Sequence, residues 1–306
     1  MAASFSVSVK DEILASLDNK AKYKACICGM ILCCKTISDD ELLFMTENET
    51  IAQFYIKQVE NIIGQGTVKK IAVEKKNSCL FLLSVDDKSK LSELYDYCGF
   101  GESYGRITDE FLSKIKAKNI SSLIAGMFLS CGSVIDPNKE YHLEFVFPTL
   151  DLCNDFGLML LERFEILAKH TSRKNSEVVY LKESEAIEDM LTLMGATMGT
   201  LEIMNVKILK TVRNKVNRAM NCDSANLEKS IKASQRQVDD INLIIDSLAF
   251  DELSPELQEM AQLRLDNPDM NLKELGEALG ISRSGANHRL QRLAKIAQTI
   301  RDEKGL

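Results

Sequence analysis

The chain has 306 residues, 45% of them hydrophobic, with only 4 Pro and 15 Gly; that balance suits two or three globular domains and excludes a disordered protein. The formal net charge of −7 excludes a uniformly basic nucleic-acid binder, but the charge is segregated: residues 1–204 carry 22 Lys+Arg against 30 Asp+Glu, and residues 205–306 carry 16 against 15. The N-terminus lacks a long apolar core, and the stretch Leu123 to Ile135 is too short and broken to span a bilayer, so a soluble, cytoplasmic protein without membrane contact is expected.

Along the chain, the spacing first predicts a helix from about Asn19 to Lys35 with Ala25, Gly29 and Cys33 at intervals of four, a face with little side-chain bulk. Cys26, Cys28, Cys33 and Cys34 crowd this helix without a CxxC pair. The three histidines, His142, His170 and His288, lie far away, so the thiols read as small packing residues and no metal or cofactor is expected. A second helix, about Ile120 to Cys131, places Ser122, Gly126 and Ser130 each 97 positions after its counterpart. The hexapeptides from Gly29 and from Gly126 agree at four places, which indicates an internal duplication. Strands are expected at Asp40–Thr46, Thr67–Glu74 and Cys79–Val85, and again at Glu140–Phe147, Phe164–Thr171 and Glu177–Leu181. Helices are expected at Glu49–Ile63 and Lys88–Tyr97, at Leu150–Leu161 and Ser184–Leu193, and in the joining segment Thr108–Lys116. The fold class is therefore α+β, two pseudo-symmetric α/β halves (about 1–105 and 106–204) followed by an all-α region.

Two halves meeting through glycine-bearing helices resemble the LAGLIDADG homing endonucleases, on Ala125-Gly126-Met127-Phe128-Leu129-Ser130-Cys131-Gly132-Ser133 and more weakly on Cys28 to Lys35. In that family an acidic residue just before the final glycine binds a divalent metal. Here Cys34 and Cys131 stand at those positions, and neither offers the hard oxygen that magnesium needs. Asp136, Glu140, Asp39 and Asp40 lie nearby but off the motif. The scaffold without its cleavage chemistry is expected, used for interaction or regulation, and the acidic balance of residues 1–204 points the same way.

After Met204 the pattern becomes helical. A basic run, Lys207, Lys210, Arg213, Lys215 and Arg218, suggests a connector at 205–222, and Asp223 or Ser224 reads as a cap at a helix junction within Asn217–Lys229. The next helix, about Ala225 to Ala249, would pack Ile231, Val238, Ile241, Leu243, Ile244, Ile245 and Leu248. Ser254-Pro255 starts another that ends before Asn267-Pro268. A helix-turn-helix follows at 271–295. Asn271 and Glu274 form a capping box, Gly280 stops the first helix, Ile281 plugs the turn and Ser282 caps the second helix. Ala286, Leu290, Leu293 and Ala297 form its inner stripe. Candidate DNA-binding residues are Ser282, Arg283, Ser284, Asn287, His288, Arg289, Arg292 and Lys295. Ser284, Asn287, His288 and Arg292 are expected toward the major groove, and Arg283, Arg289 and Lys295 on phosphates. His288 and Lys295 fit solvent-facing residues as well, and no catalytic residue is expected.

The order of features, with Asn217-Arg218 through Asn221-Cys222 to Ala225-Asn226 and the segment Ile281 to Leu290, resembles the WhiA family of bacterial DNA-binding proteins over almost the full chain. The resemblance implies a degenerate LAGLIDADG-like domain (1–204) and a helical DNA-binding domain (223–306) similar to the promoter-reading region of sigma factors. It implies a non-enzymatic, nucleoid-associated regulator of transcription, tied to cell division, the cell cycle and chromosome segregation, and to sporulation in some lineages. Its expected partners are double-stranded DNA and either RNA polymerase with its sigma factor or cell-division proteins. Competing readings are a protein-interaction or ligand-sensing platform with only non-specific DNA binding, and a metal-dependent DNA endonuclease.

Overall fold

The computed structural model describes residues 4–75, 78–101, 104–174 and 176–304. In chain order it contains α1 (Phe5–Ser16), α2 (Lys20–Leu32), β1 (Thr36–Ile37), β2 (Leu42–Thr46), α3 (Glu49–Ile63), β3 (Lys69–Glu74), β4 (Cys79–Val85) and α4 (Lys88–Cys98). Then come α5 (Asp109–Ser113), α6 (Ile120–Cys131), β5 (Gly132–Val134), β6 (Leu143–Phe147), α7 (Leu150–Phe164), β7 (Lys169–Arg173), β8 (Ser176–Leu181) and α8 (Ser184–Met194). The chain ends with α9 (Thr197–Asp246), α10 (Pro255–Asp266), α11 (Leu272–Ala278) and α12 (Arg283–Lys304). Two compact units divide between Lys210 and Thr211.

The duplication is explicit in the sheets. Each is antiparallel, with strand order β1-β2-β4-β3 in one and β5-β6-β8-β7 in the other. Polar caps start the helices beside them: Asn19 Oδ1 accepts from the amides of Ala21 and Lys22, Asn48 Oδ1 from Ile51, and Thr149 Oγ1 from Leu152. The two glycine-bearing helices cross at the centre. A Cβ on Gly29 would sit 2.1 Å from the Leu123 carbonyl oxygen, and one on Gly126 would sit 1.9 Å from that of Cys26. Only glycine permits so close an approach of two backbones. Buried residues therefore run all round α2 and α6, including Ile27, Met30, Leu123 and Phe128.

The sheets differ on the side away from the core. In the first, the cross-strand row Met45, Leu82 and Ile71 and its neighbours Leu43, Leu80 and Val73 are half-buried or exposed, leaving an apolar face uncovered. In the second, the row equivalent to Met45, Leu82 and Ile71 is Val146, Val178 and Thr171, but the place of Leu43 is taken by Glu144, beside Tyr180 and Lys169, and Glu144 accepts from Arg173 at 2.8 Å and meets His142 Nε2 at 3.2 Å.

Four expectations need correction. Helix α1 was not anticipated, and its Val9 and Ile13 are buried while Ser4 caps it. Strand β6 begins at Leu143 rather than at Glu140, whose amide turns back to the Asp136 carbonyl, and β7 begins at Lys169 rather than at Phe164, because α7 continues to Phe164. The junction expected within Asn217–Lys229 is absent: α9 runs through it as one helix of 50 residues. No Gly or Pro occurs between residues 200 and 246, so nothing there stops a helix once begun. Finally, Ile231, Ile245 and Leu248 are exposed instead of packed, while Ile241 and Ile244 are buried.

The start of α9 is held by α1: Glu12 accepts the amides of Met198 at 2.6 Å and Gly199 at 3.1 Å. A carboxylate on free helix N–H groups satisfies donors that have no partner within the helix. Among the described residues Cys222, on α9, is the one exposed cysteine.

Candidate nucleic-acid interface

The helix-turn-helix is built locally. Asn271 Oδ1 accepts from the amides of Lys273 at 2.9 Å and Glu274 at 3.2 Å, and Glu274 Oε2 accepts from the Asn271 amide at 2.8 Å. Both halves of the expected capping box are present. Gly280 takes φ +65°, and the Ile281 amide turns back to the Gly276 carbonyl at 2.9 Å. Ser282 Oγ then accepts from the Gly285 amide at 3.1 Å and opens α12.

Helix α12 buries Ala286, Leu290, Leu293, Ala297 and Ile300. They pack with Leu275, Leu257, Met260, Ile241 and Ile244 into a core of the second unit's own. With that stripe fixed, helical geometry puts Ser284, His288, Gln291 and Lys295 on the opposite side, with Asn287 and Arg292 flanking them. Ser282, Arg283, Ser284, His288, Arg292 and Lys295 are exposed, and Asn287 is half-buried. The face offers hydroxyl, amide, imidazole, guanidinium and ammonium groups, a set that donates to phosphates and base edges.

The structure separates the cations that the sequence groups together. Arg289 turns toward α10, where its guanidinium lies 3.8 Å from Glu256 and 3.9 Å from Glu259 and its side chain is only 18% exposed. Neighbouring carboxylates of α10 thus stand beside its charge. Arg301 is likewise taken, by Asp240 at 2.6 Å. In the basic run at the start of α9, Lys207 pairs with Glu185 at 2.6 Å, and Lys210 donates to the Pro137 carbonyl at 2.6 Å and lies over the Tyr141 ring. Arg213, Lys215 and Arg218 stay exposed.

Sequence reasoning passed over Arg264. It is 2% exposed, and its Nη1 donates to the carbonyls of Met270 at 2.7 Å and Pro268 at 3.2 Å, tying the α10–α11 turn. Burial pulls its guanidinium below the ordinary value. The available signal was that Arg264 is the one basic residue between 239 and 270.

At the nuclease-motif positions, Cys34 is 1% exposed and its Sγ lies 3.6 Å from the Met30 carbonyl oxygen. Burial pushes its thiol up to about 12, so it is a neutral SH group. Cys131 is half-buried. Asp136 accepts from the amide and side chain of Asn138, at 2.9 and 3.0 Å, which holds its carboxyl below the ordinary range. Asp40 pairs with Lys88 at 2.6 Å. Among the described residues no three His, Cys, Asp or Glu side chains converge on a point that could hold a metal ion.

Comparison with known proteins gives a consistent picture. Residues 120–213 match the family profile described as the WhiA LAGLIDADG-like domain, and residues 216–297 match the WhiA C-terminal HTH domain. A probable cell division protein WhiA from Thermoanaerobacter pseudethanolicus is 34% identical over 319 residues, covering 98% of this chain and 99% of its own. One from Clostridium perfringens (strain SM101 / Type A) is 37% identical over 314 residues, covering 97% and 98%. The crystal structure of full-length DUF199/WhiA from Thermatoga maritima shares the fold with a TM-score of 0.58 at 22% identity, over 97% of this chain and 99% of that one.

Proposed function

This chain belongs to the WhiA family, and we propose that it is a DNA-binding protein of cell division that reads duplex DNA through α12 and does no catalysis. The single observation that carries this reading is the outer face of α12. Arg292 and Lys295 project there in the open, Arg283 is exposed at the start of the helix, and among the described residues none of the three pairs with a carboxylate. Ser284, Asn287, His288 and Arg292 would meet base edges; Ser282, Arg283 and Lys295 would hold phosphates. Arg289 acts as a packing residue that orients the helix.

Transcription regulation is the mode we favour, with chromosome segregation and, in spore-forming lineages, sporulation as its outputs. RNA polymerase with its sigma factor, or a cell-division protein, is the protein partner, and the cytoplasmic nucleoid is the location. The neutral thiol at Cys34 and the occupied carboxylates of Asp136 and Asp40 support a nuclease-like unit without cleavage chemistry. A second role is favoured by the apolar row Met45, Leu82 and Ile71: a saddle that grips DNA needs polar and basic groups there, whereas this face suits protein contact.

Mobility-shift titration and genome-wide mapping of bound DNA test the reading. Arg292→Ala is expected to weaken binding by about 1–3 kcal/mol and to relax specificity at one base position, with Arg289→Ala changing affinity less. Equal affinity of parent and Arg292→Ala for mapped sites and for random DNA would remove Arg292 from the interface. Plasmid cleavage with magnesium, lost in Asp136→Ala, would overturn the non-enzymatic reading.

A further inference from the structure

The second unit holds a basic cleft of about 640 Å³ between the distal part of α9, the end of α10 and the starts of α11 and α12. Lys229, Arg264, Lys273 and Arg283 line it together with Ser230 and Gln237, and no carboxylate does. Four cations line one cleft in a chain of net charge −7, and among the described residues the one carboxylate beside any of them is Glu277, 3.6 Å from Lys273.

The buried member makes the cleft more than a charged surface. All the acceptors that meet Arg264 Nη1 are neutral: Ser234 Oγ and the carbonyls of Asn267, Pro268 and Met270. Its Nε is buried and meets no acceptor, and among the described residues no carboxylate pairs with it. A buried guanidinium without a counter-charge is costly, and an anion beside it offsets that cost. Gln237 Oε1 is a second buried atom without a partner on the same cleft. A turned amide would present its NH2 donor there instead.

We propose that this cleft is a phosphate seat, in which Lys229, Lys273 and Arg283 contact the phosphate oxygens and Arg264 supplies a fixed buried positive charge. Guanidinium and ammonium groups together match the shape and charge of a phosphate. A phosphodiester of DNA and a free phosphorylated ligand present the same chemistry. The DNA source is favoured because Arg283 is shared with the start of the reading helix, and in that form the inference rests on the DNA-binding reading above.

The test uses the full chain and its Lys229→Ala and Lys273→Ala variants, both at exposed positions, with Lys232→Ala as a control on α9 outside the cleft. Binding to a random-sequence duplex is followed across a salt series, and thermal unfolding is followed with and without inorganic pyrophosphate. If a DNA phosphate is seated, each cleft variant lowers the log–log salt slope by about 0.9 and weakens binding alike on every sequence, while the control changes neither. If a free ligand is seated, pyrophosphate raises the melting temperature of the parent and of the control but not of the cleft variants, and the salt slopes stay equal. Cleft variants that match the parent in both measurements overturn the proposal. A parent that binds no duplex sinks the DNA-binding reading alone, and the pyrophosphate measurement still decides the cleft.

Discussion

At the scale of single residues, the buried stripe of α12 was legible and the fate of each cation was not. Periodicity alone put Ala286, Leu290, Leu293 and Ala297 inside, and all four are buried. The partners of Arg289 lie on α10, some thirty residues away in sequence, and no local pattern encodes that contact. Lys10 gives a prediction of a different kind. Its Nζ lies 3.4 Å from the Leu129 carbonyl oxygen and 5.6 Å from the centre of the Phe128 ring, and burial lowers its pKa to about 8. The unfolded chain keeps that proton up to the ordinary value near 10.5. Between those two pH values the unfolded state binds more protons, so this group's contribution to stability rises with pH, and the penalty for burying its charge is full below about 8. Lys10→Met is therefore expected to melt higher than the parent at neutral pH, with the advantage shrinking as pH is raised from about 8 toward 10.5. Thermal unfolding across that range measures it, and an advantage that grows with pH would refute the assignment.

At the scale of elements, the duplicated helices were legible because glycine at the same place in both copies has a backbone reason. The expected outcome for Gly126→Ala is a loss of about 3 kcal/mol or more, at the upper end of overpacking, since a carbonyl oxygen only 1.9 Å from the new Cβ cannot step aside as a side chain could. Denaturant unfolding measures the loss; a change below about 1 kcal/mol would mean that α2 and α6 do not meet there. Helix α1 escaped notice because Ser and Val are middling helix formers and its sequence carries little amphipathic signal; contacts that bury Val9 and Ile13 hold it. The continuity of α9 was hidden by the opposite error. Asn, Asp and Ser near residue 222 read as caps, but each costs only a few tenths of a kcal/mol inside a helix, and no Gly or Pro reinforces them.

At the scale of the whole molecule, residues 4–210 and 211–304 each have a core of their own, one centred on α2 and α6 and the other on α10 to α12. Calorimetry should resolve two unfolding transitions, with Gly126→Ala lowering one and leaving the other in place. A single transition that moves as a whole would show the two cores to be one cooperative system. The division between an acidic α+β part and a mixed-charge helical part could be read from composition, because segregated charge survives in the sequence where net charge conceals it. The uncovered apolar face of the first sheet could not, since strand alternation says which residues share a face but not whether anything packs on it.

Nine cysteines would ordinarily make a protein awkward to derivatise. Here six are buried, two are half-buried, and Cys222 alone among the described residues is exposed. Burial pushes the Cys26 and Cys34 thiols far from the reactive thiolate form. A thiol-directed dye should therefore settle first on α9 of the native chain, one helical turn from Asn226. The unaltered protein thus carries its own attachment point for a fluorophore, close to the helix segment that lines the basic cleft, and DNA or pyrophosphate binding can be watched as a change in the emission of a single site.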